Sequence, residues 1–186
     1  MANTQVITRA VRLSYLNVFQ PRTMGSNPDG AAKYSACLLI PKTDTKTYNA
    51  IIAACDAARL GSAAKFNGKV PNTLKLPIHD GDGEMPNGGE YGAECKGMWV
   101  LNASSATKPG LVNRANQLIT DETELYSGCW AYVDINFYAY NANGNRGIAC
   151  GLNNLQKVRD DEALGGRQRA QDVFKPIEDD EDDLGL

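Results

Sequence analysis

The segment from Cys129 to Asn141 alternates between apolar residues and polar or aromatic ones. This period of two predicts a half-buried strand with one face in the core. The apolar face carries Ala131, Val133, Ile135, Phe137 and Ala139. The opposite face carries Trp130, Tyr132, Asp134, Asn136, Tyr138 and Tyr140. Because that second face should meet solvent, its four large rings require an explanation.

The residues that follow predict the partner of this strand. Asn143-Gly144 is a strong hairpin signal, because both residue types tolerate the positive φ angles of a tight turn. With these two as the loop, the apolar pairs are Ala139–Ile148, Phe137–Cys150 and Ile135–Leu152, and the polar-face pairs are Tyr140–Gly147, Tyr138–Ala149 and Asn136–Gly151. Small residues opposite the rings leave them uncovered by the partner strand. We call the exposed set Trp130, Tyr132, Tyr138 and Tyr140 the aromatic ledge.

The rest of the chain carries weaker signals of the same kind. We predict strands at Val6–Phe19 (ended by Pro21), Lys33–Ile40, Leu74–Ile78, Gly97–Ser105 and Leu111–Val112. The alternation of the first strand fails at Tyr15–Leu16, which predicts a β-bulge. One helix is expected after an N-cap at Asp44, ending at Gly61 or continuing unevenly to Phe66. Residues 67–97, rich in Gly, Pro and Asn, are otherwise predicted to form long loops.

Several strands with one helix and long loops predict a mainly β fold. The closest architecture is a small closed β-barrel of the oligonucleotide-binding (OB) kind, which we assign to residues 1–160. Beyond Val158 large apolar residues become rare and charges become frequent. This composition favours a flexible linker over residues 161–177 and a disordered acidic tail over residues 178–186.

Composition indicates the environment of the protein. The chain has 186 residues and is 42% hydrophobic, which is enough for a single-domain core. Its five cysteines are an odd count without close pairs, which indicates free thiols in a reducing cytosol. No stretch approaches the ~18 apolar residues of a membrane span, and the first ten residues lack the apolar core of a secretory signal. We therefore expect a cytoplasmic protein without a membrane partner.

The charge is unevenly distributed along the chain. The formal net charge is −3, but the run from Glu178 to Asp183 holds six of the 22 acidic residues. The remaining 16 acids stand against 19 Lys and Arg, so residues 1–177 carry about +3. A mildly basic body with an acidic end suggests a polyanionic partner, and a tail that can compete with that partner.

An exposed row of rings beside small residues favours the stacking of unpaired bases, at ~1–3 kcal/mol for each base. Phosphates would require basic neighbours. The predicted DNA-binding residues are the ledge, Trp99 on another strand, and the cations Arg12, Lys33, Lys108 and Arg146. Two alternatives remain open. The rings could instead pack under a loop, a helix or a second subunit, and the cations could be merely solvated.

Catalytic signals are few. The chain has one histidine, His79, which leaves little material for a catalytic triad or a multi-histidine metal site. The segment "HDGDGE", His79 to Glu84, resembles a carboxylate metal loop. It departs from the calcium-loop pattern, with Met85 and Tyr91 where glycine and glutamate are needed. We predict a non-enzymatic protein without a metal or cofactor. The alternatives are a metal-dependent nuclease that uses this loop, and a structural module whose ledge is a protein interface.

The segment from Gly128 to Arg167 resembles a bacteriophage single-stranded-DNA-binding family, long described as a domain of unknown function. "GLNNLQKVRDDEALGGR" is the most specific part, and "KYSACLLIPK" and "GMWVLNASSATKPGLV" fit its earlier strands. The resemblance covers roughly residues 5–167. It implies an OB fold, single-strand binding in phage replication or recombination, and no catalysis. It does not identify individual DNA contacts.

The acidic end is similar to the tails of phage and bacterial single-strand binders. Many of those end in an aromatic residue, whereas this chain ends in "DDLGL". The resulting prediction is a sequence-tolerant single-stranded-DNA-binding protein of the infected host cell. Its acidic tail would compete with DNA and recruit replication or recombination proteins, and weak duplex binding is left open.

Overall fold

The computed structural model describes residues 3–23, 30–142, 144–165 and 170–177. Within these ranges the strands are β1 (Gln5–Ile7), β2 (Val11–Arg22), β3 (Lys33–Pro41), β4 (Ile78–Asp80), β5 (Met98–Ser105), β6 (Gly110–Val112), β7 (Trp130–Ala142) and β8 (Asn145–Arg159). The helices are α1 (Thr45–Leu60) and the single turn α2 (Ala170–Val173), with three short 3₁₀ turns in the loops. No helix in the described part of the chain has the length and apolar character to cross a membrane.

Five of the strands form a ring in the order β7, β2, β3, β5, β8 and back to β7. Neighbours in the ring are antiparallel except β5 and β8, which meet in parallel at one pair, Ser104 with Gly151. Antiparallel strands closed by one parallel contact form a partly open barrel of the OB kind. The predicted fold class is therefore confirmed. Strands β1, β4 and β6 extend the sheet beside the ring.

The hairpin of β7 and β8 has the predicted register. Ala142 pairs with Asn145, and all six predicted pairs, from Tyr140–Gly147 to Ile135–Leu152, are present. The connection is thus residues 143 and 144; Gly144 has a φ of 81°, while Asn143 lies outside the described residues. The apolar face of β7 is buried, with Phe137 only 1% exposed. Alternation and turn chemistry were sufficient here because both act within one local unit.

Helix α1 packs on β7, β1 and β8, and it begins after Asp44 and ends at Gly61, as predicted. The Asp44 side chain accepts a hydrogen bond from the backbone N–H of Thr47 at 3.1 Å. Gly61 follows the last turn, and its N–H donates to Ala57 O. The buried face of the helix includes Ile51, Ala54, Cys55 and Ala58, which join the main core.

The first predicted strand, Val6–Phe19, is wrong in its continuity and in its end. It is divided into β1 and β2 by a bend at Arg9–Ala10. Thr8, just before the bend, still bonds to β7: its N–H donates to Val133 O at 2.9 Å, and its hydroxyl oxygen accepts from Val133 N–H at 3.1 Å. Pro21 does not end β2, which continues to Arg22 opposite Lys33 after an irregularity in register. A proline is tolerated at such an irregular position, where no ladder hydrogen bond needs its missing N–H.

The short strand predicted at Leu74–Ile78 is also wrong in its position. The observed strand is β4, Ile78–Asp80, which pairs with β5 through Ile78 and Leu101. Leu74 is half-buried against the main core, and Lys75 makes one isolated bridge to Gly147. The apolar residues before Pro77 therefore reflect loop packing rather than a strand.

The predicted bulge at Tyr15–Leu16 is confirmed. Ser14 pairs with Cys37, but Asn17 pairs with Ser35, so β2 holds one extra residue opposite β3. Tyr15 has a φ of 43°, in the left-handed region that a bulky residue rarely adopts. Leu16 N–H donates to Ser127 Oγ at 3.1 Å, which fixes the bulge against the loop before β7.

All five cysteines are free, as predicted, and the structure also buries all of them. Burial raises the pKa of the Cys37 and Cys55 thiols to about 12 each. Cys37 belongs to a second apolar cluster on the outer face of β3 and β5, together with Leu39, Cys95 and Val100. Tyr91, Met98 and Leu164 pack against this outer cluster.

Candidate nucleic-acid interface

A cleft of about 420 Å³ lies on the outer face of β2, β3 and β5, beside the outer cluster. Its floor is built from cross-strand pairs of short side chains, Ser35 with Ser104 and Cys37 with Asn102. Short side chains keep the floor low, so a flat ligand can lie close to the sheet. Nothing in the sequence pattern singled out this cleft.

Tyr15 borders the cleft and is its most exposed ring, with 76% of its surface accessible. The bulge turns the ring outward, and Asn17 holds the backbone there by donating to Tyr15 O at 3.1 Å. The Asn17 amide also lies 3.4 Å from Ser35 Oγ. Strain of this kind persists where the surroundings enforce it, and it concentrates at functional sites. The sequence predicted the bulge but not this use of it.

Two of the predicted cations lie at one end of the cleft. Lys33 begins β3 two residues before Ser35, on the same face of the strand, and it pairs with Arg22. Lys108 follows the end of β5, and its Nζ lies 5.8 Å from the centroid of the Phe19 ring. Lys33, Lys108 and Arg22, which we call the basic edge, thus lie beyond the Ser35–Ser104 pair along their strands, and none of the three lines the cleft itself.

The aromatic ledge lies on β7, in the part of the ring farthest from β3. Tyr132 and Tyr138 are 43% and 39% exposed, whereas Trp130 and Tyr140 are half-buried. The Tyr140 ring packs over Gly147, its partner on β8. A Cβ added to Gly147 would lie 2.8 Å from the Tyr140 hydroxyl. The glycine therefore provides the space that this ring occupies.

Charge divides the ledge into two halves. Asp134, between the two exposed tyrosines, accepts hydrogen bonds from Gln5 Nε2 at 2.8 Å and Asn154 Nδ2 at 2.9 Å. At the other half, Lys65 Nζ lies 5.7 Å from the centroid of the Tyr138 ring. Arg146, the second residue of β8, is exposed, but it pairs with Asn141 and so lies on the opposite face of the hairpin from Tyr138 and Tyr140. Cations lie over rings on both sides of Asp134, as an anionic strand requires: Lys65 lies over Tyr138, and the Arg159 guanidinium lies 4.4 Å from the centroid of the Trp130 ring.

Trp99 is engaged within the protein. Its ring stacks on Tyr48 of α1, with centroids 4.5 Å apart and planes inclined by 22°. Lys42 Nζ lies 4.9 Å from the centroid of the same ring. A base could stack on Trp99 only after these neighbours moved.

Arg12 and Trp130, both predicted DNA contacts, face each other across β2 and β7. Arg12 Nε donates to Gly128 O at 3.1 Å, and its Nη2 donates to Glu162 O at 2.7 Å. Trp130 Nε1 donates to Asp161 Oδ2 at 2.8 Å. The structure brings these two residues together, but the segment after β8 lies against both.

The acidic loop from His79 to Glu84 binds the side chain of Lys42, a residue outside the loop. Lys42 Nζ contacts Asp80 Oδ1 at 2.5 Å and Asp82 Oδ2 at 2.7 Å. Hydrogen bonds from Lys42 hold the pKa of both carboxyls below the usual range. Across residues 3–23, 30–142, 144–165 and 170–177, no group of three or more His, Cys, Asp or Glu side chains is arranged to hold a metal ion. The Lys42 ammonium thus lies between the Asp80 and Asp82 carboxylates.

The predicted acidic tail, residues 178–186, lies outside the described residues, as do residues 166–169 of the predicted linker. The first residues of that linker, 161–164, contact the barrel. The division into barrel, linker and tail therefore stays a prediction.

The chain is similar to several phage proteins. A family model described as "Enterobacter phage Enc34, ssDNA-binding protein" matches residues 4–184. The Enc34 single-stranded-DNA-binding protein, solved in complex with single-stranded DNA, is 30% identical with a TM-score of 0.69, covering 87% of this chain and 90% of that one. Protein p50 of Acyrthosiphon pisum secondary endosymbiont phage 1 is 29% identical over 84% of each chain. A single-stranded-DNA-binding protein of bacteriophage T7, 14% identical with a TM-score of 0.58, covers 95% of this chain and 100% of its own and shares the fold.

Proposed function

The chain belongs to the family of the Enterobacter phage Enc34 single-stranded-DNA-binding protein, and from this premise we propose that it binds single-stranded DNA without catalysis. The observation that carries the proposal is the cleft over β3 and β5, with exposed Tyr15 at its border. In chain order these are the second and third of the five ring strands, and OB folds bind oligonucleotides on the face of their strands 2 and 3. Binding should tolerate any sequence, because every base has a face that can stack.

The Tyr138 half of the aromatic ledge is a second candidate surface. Tyr138 is exposed, and Lys65 supplies positive charge over its ring. A strand long enough to leave the cleft could continue there. Tyr132 itself, beside the Asp134 carboxylate, is less suited to a polyanion.

Fluorescence titration with oligo-dT at several salt concentrations tests the proposal. Affinity should fall as salt rises, since each phosphate neutralised contributes a slope of about −0.7 in log affinity against log salt. Replacing Lys33 or Lys108 by alanine should make the slope about 0.7 shallower without changing base preference. Lys46, exposed in the first turn of α1, is the matched control, and its alanine variant should keep the wild-type slope.

Two results would contradict the proposal. If the affinity for oligo-dT does not change with salt concentration, the basic edge does not neutralise phosphates. Failure to bind any oligo-dT would instead favour a protein-interaction module that uses the ledge. The nuclease alternative predicts magnesium-dependent loss of labelled DNA, which the Lys42 contacts to Asp80 and Asp82 do not favour.

We further propose that the acidic tail competes with DNA and recruits proteins of phage replication or recombination in the infected cell. Stopping the chain after Ile177 removes six acids and changes the formal charge from −3 to +3. Affinity for oligo-dT should rise, most at low salt where screening is weakest, and duplex binding should rise with it. Partner recruitment should be lost.

A full-length chain with the same six acids changed to their amides is the matched control for this truncation. It keeps the length of the tail and removes its charge, so it should bind as tightly as the truncated chain. Truncated and full chains with equal affinity at low salt would rule out competition by the tail.

A further inference from the structure

The chain does not leave the barrel where β8 ends. Residues Asp160–Leu164, which we call the acidic strap, lie against the loop before β7 and the start of β7. Tyr126 OH donates to Asp160 Oδ1 at 2.7 Å, and Leu164 N–H donates to Ser127 O at 2.8 Å. At the centre of the strap, the Asp161 carboxylate accepts the Trp130 Nε1 hydrogen bond.

The surface under the strap combines cations with rings. Asp161 Oδ2 lies 3.6 Å from Arg159 Nη1 and 4.0 Å from Arg12 Nε. The Arg159 guanidinium lies 4.4 Å from the centroid of the Trp130 ring. Lys157 repeats the arrangement, with its Nζ 2.8 Å from Asp160 Oδ1 and 5.6 Å from the Tyr126 ring centroid. Proteins bind single-stranded DNA with this combination: aromatic rings that stack with bases, and arginine or lysine side chains that lie over the rings and donate to an anion.

The contacts of the Asp161 carboxylate are ones that a phosphate can replace. The side chains of Asp161 and Arg159 are 36% and 52% exposed, so their ion pair is screened by solvent. The two main charged partners of Asp161 are arginines, which bind phosphate as readily as carboxylate. The carboxylate of Asp161 therefore stands in the position of a phosphate group.

The surface is continuous with the cleft. Arg12 lies on β2 three residues before Tyr15, which borders the cleft. At the other end of the strap, Leu164 packs on the outer cluster that includes Cys37, a residue of the cleft floor. A strand that fills the cleft thus has this surface as its neighbour along β2.

We propose that Arg12, Trp130 and Arg159 form a second subsite for the phosphodiester backbone and a base of single-stranded DNA, which the acidic strap occupies until a long strand displaces it. The inference rests on the proposed function and adds an internal competitor separate from the C-terminal tail. Short oligonucleotides bind in the cleft and leave the strap in place. Longer ones replace Asp161 at the arginines and release the chain that follows.

Hydrogen exchange on the full chain tests the displacement directly. The backbone N–H groups of Asp161, Glu162 and Leu164 are bonded in the free protein, to Tyr126 Oη, Asp161 Oδ1 and Ser127 O. Their exchange should accelerate at saturation with an oligo-dT of about 16 nucleotides and stay slow with one of about four, the limits of OB-fold site sizes. Unchanged exchange in the strap with the long oligonucleotide bound would overturn the subsite while leaving cleft binding intact.

A charge variant gives the second test. Asp161→Asn should raise the affinity for the long oligonucleotide by about two- to fivefold at low salt, the range expected from an exposed ion pair. The affinity for the short oligonucleotide should stay unchanged. Asp134→Asn is the control, because that carboxylate is also hydrogen-bonded, but by the amides of Gln5, Asn153 and Asn154. Equal effects of the two variants would overturn the proposal. If the wild-type chain does not bind oligo-dT of either length, the proposed function itself is refuted.

Discussion

Replacing Tyr15 by alanine is expected to weaken oligo-dT binding by about 1–3 kcal/mol, the usual value of one stacked base. The ring is 76% exposed at the border of the cleft and packs on little of the protein, so its removal should cost little folding stability. Fluorescence titration at fixed salt measures the change in affinity. Thermal unfolding of the same variant checks that the barrel is intact.

Tyr15→Phe is the matched control, because it keeps the ring and loses only the hydroxyl. It should bind close to wild type. Tyr138→Ala separates the two candidate surfaces: a larger loss there than at Tyr15 would move the main site to the ledge. If Tyr15→Ala and the alanine variants of the four ledge residues all bind normally while folded, stacking on both surfaces is refuted.

Replacing Gly81 by alanine is expected to lower the free energy of unfolding by about 1–3 kcal/mol, as for other overpacked sites. A Cβ at Gly81 would lie 2.2 Å from Cys95 O and 2.6 Å from Met98 O, so backbone atoms would have to move. Those residues carry the loop that covers the outer cluster, and Gly81 N–H donates to Met98 O at 2.9 Å. Urea unfolding measures the loss.

Gly83→Ala is the control for this prediction, since its added Cβ would come no closer than 3.4 Å to Asp80 O. It should change stability by far less than the Gly81 variant. Equal stability of the two variants would mean that the loop of residues 81–97 adjusts freely, contrary to the close packing described above.

The elements that could be predicted from sequence are those set by neighbouring residues. The β7–β8 register followed from alternation and Asn-Gly, and the ends of α1 followed from Asp44 and Gly61. The prediction fails where distant groups decide: the first strand breaks at Arg9, whose N–H bonds to the side chain of Thr47 in another part of the chain. Such contacts have no local pattern.

The candidate site was less accessible to sequence reasoning than the fold. The cleft is built from short residues such as Ser35, Asn102 and Ser104, which are unremarkable one at a time and become a floor only when β3 and β5 pair. Conversely, a large ring or a cation is conspicuous in a sequence, but its neighbours are not. Trp99 and Arg12 both have partners far along the chain, Tyr48 and Glu162.

The way the ring closes has a consequence for synthesis on the ribosome. β2 and β3 are complete by Pro41, yet β2 must pair with β7, which begins at Trp130. At about 5–20 residues per second, the nascent chain waits on the order of ten seconds before that partner emerges. During this interval Val11, Leu13 and Leu38, all fully buried in the finished barrel, lack the hairpin that covers them. β7 and β8 can then pair at once, being adjacent, so the last strands made complete the core that the first ones began.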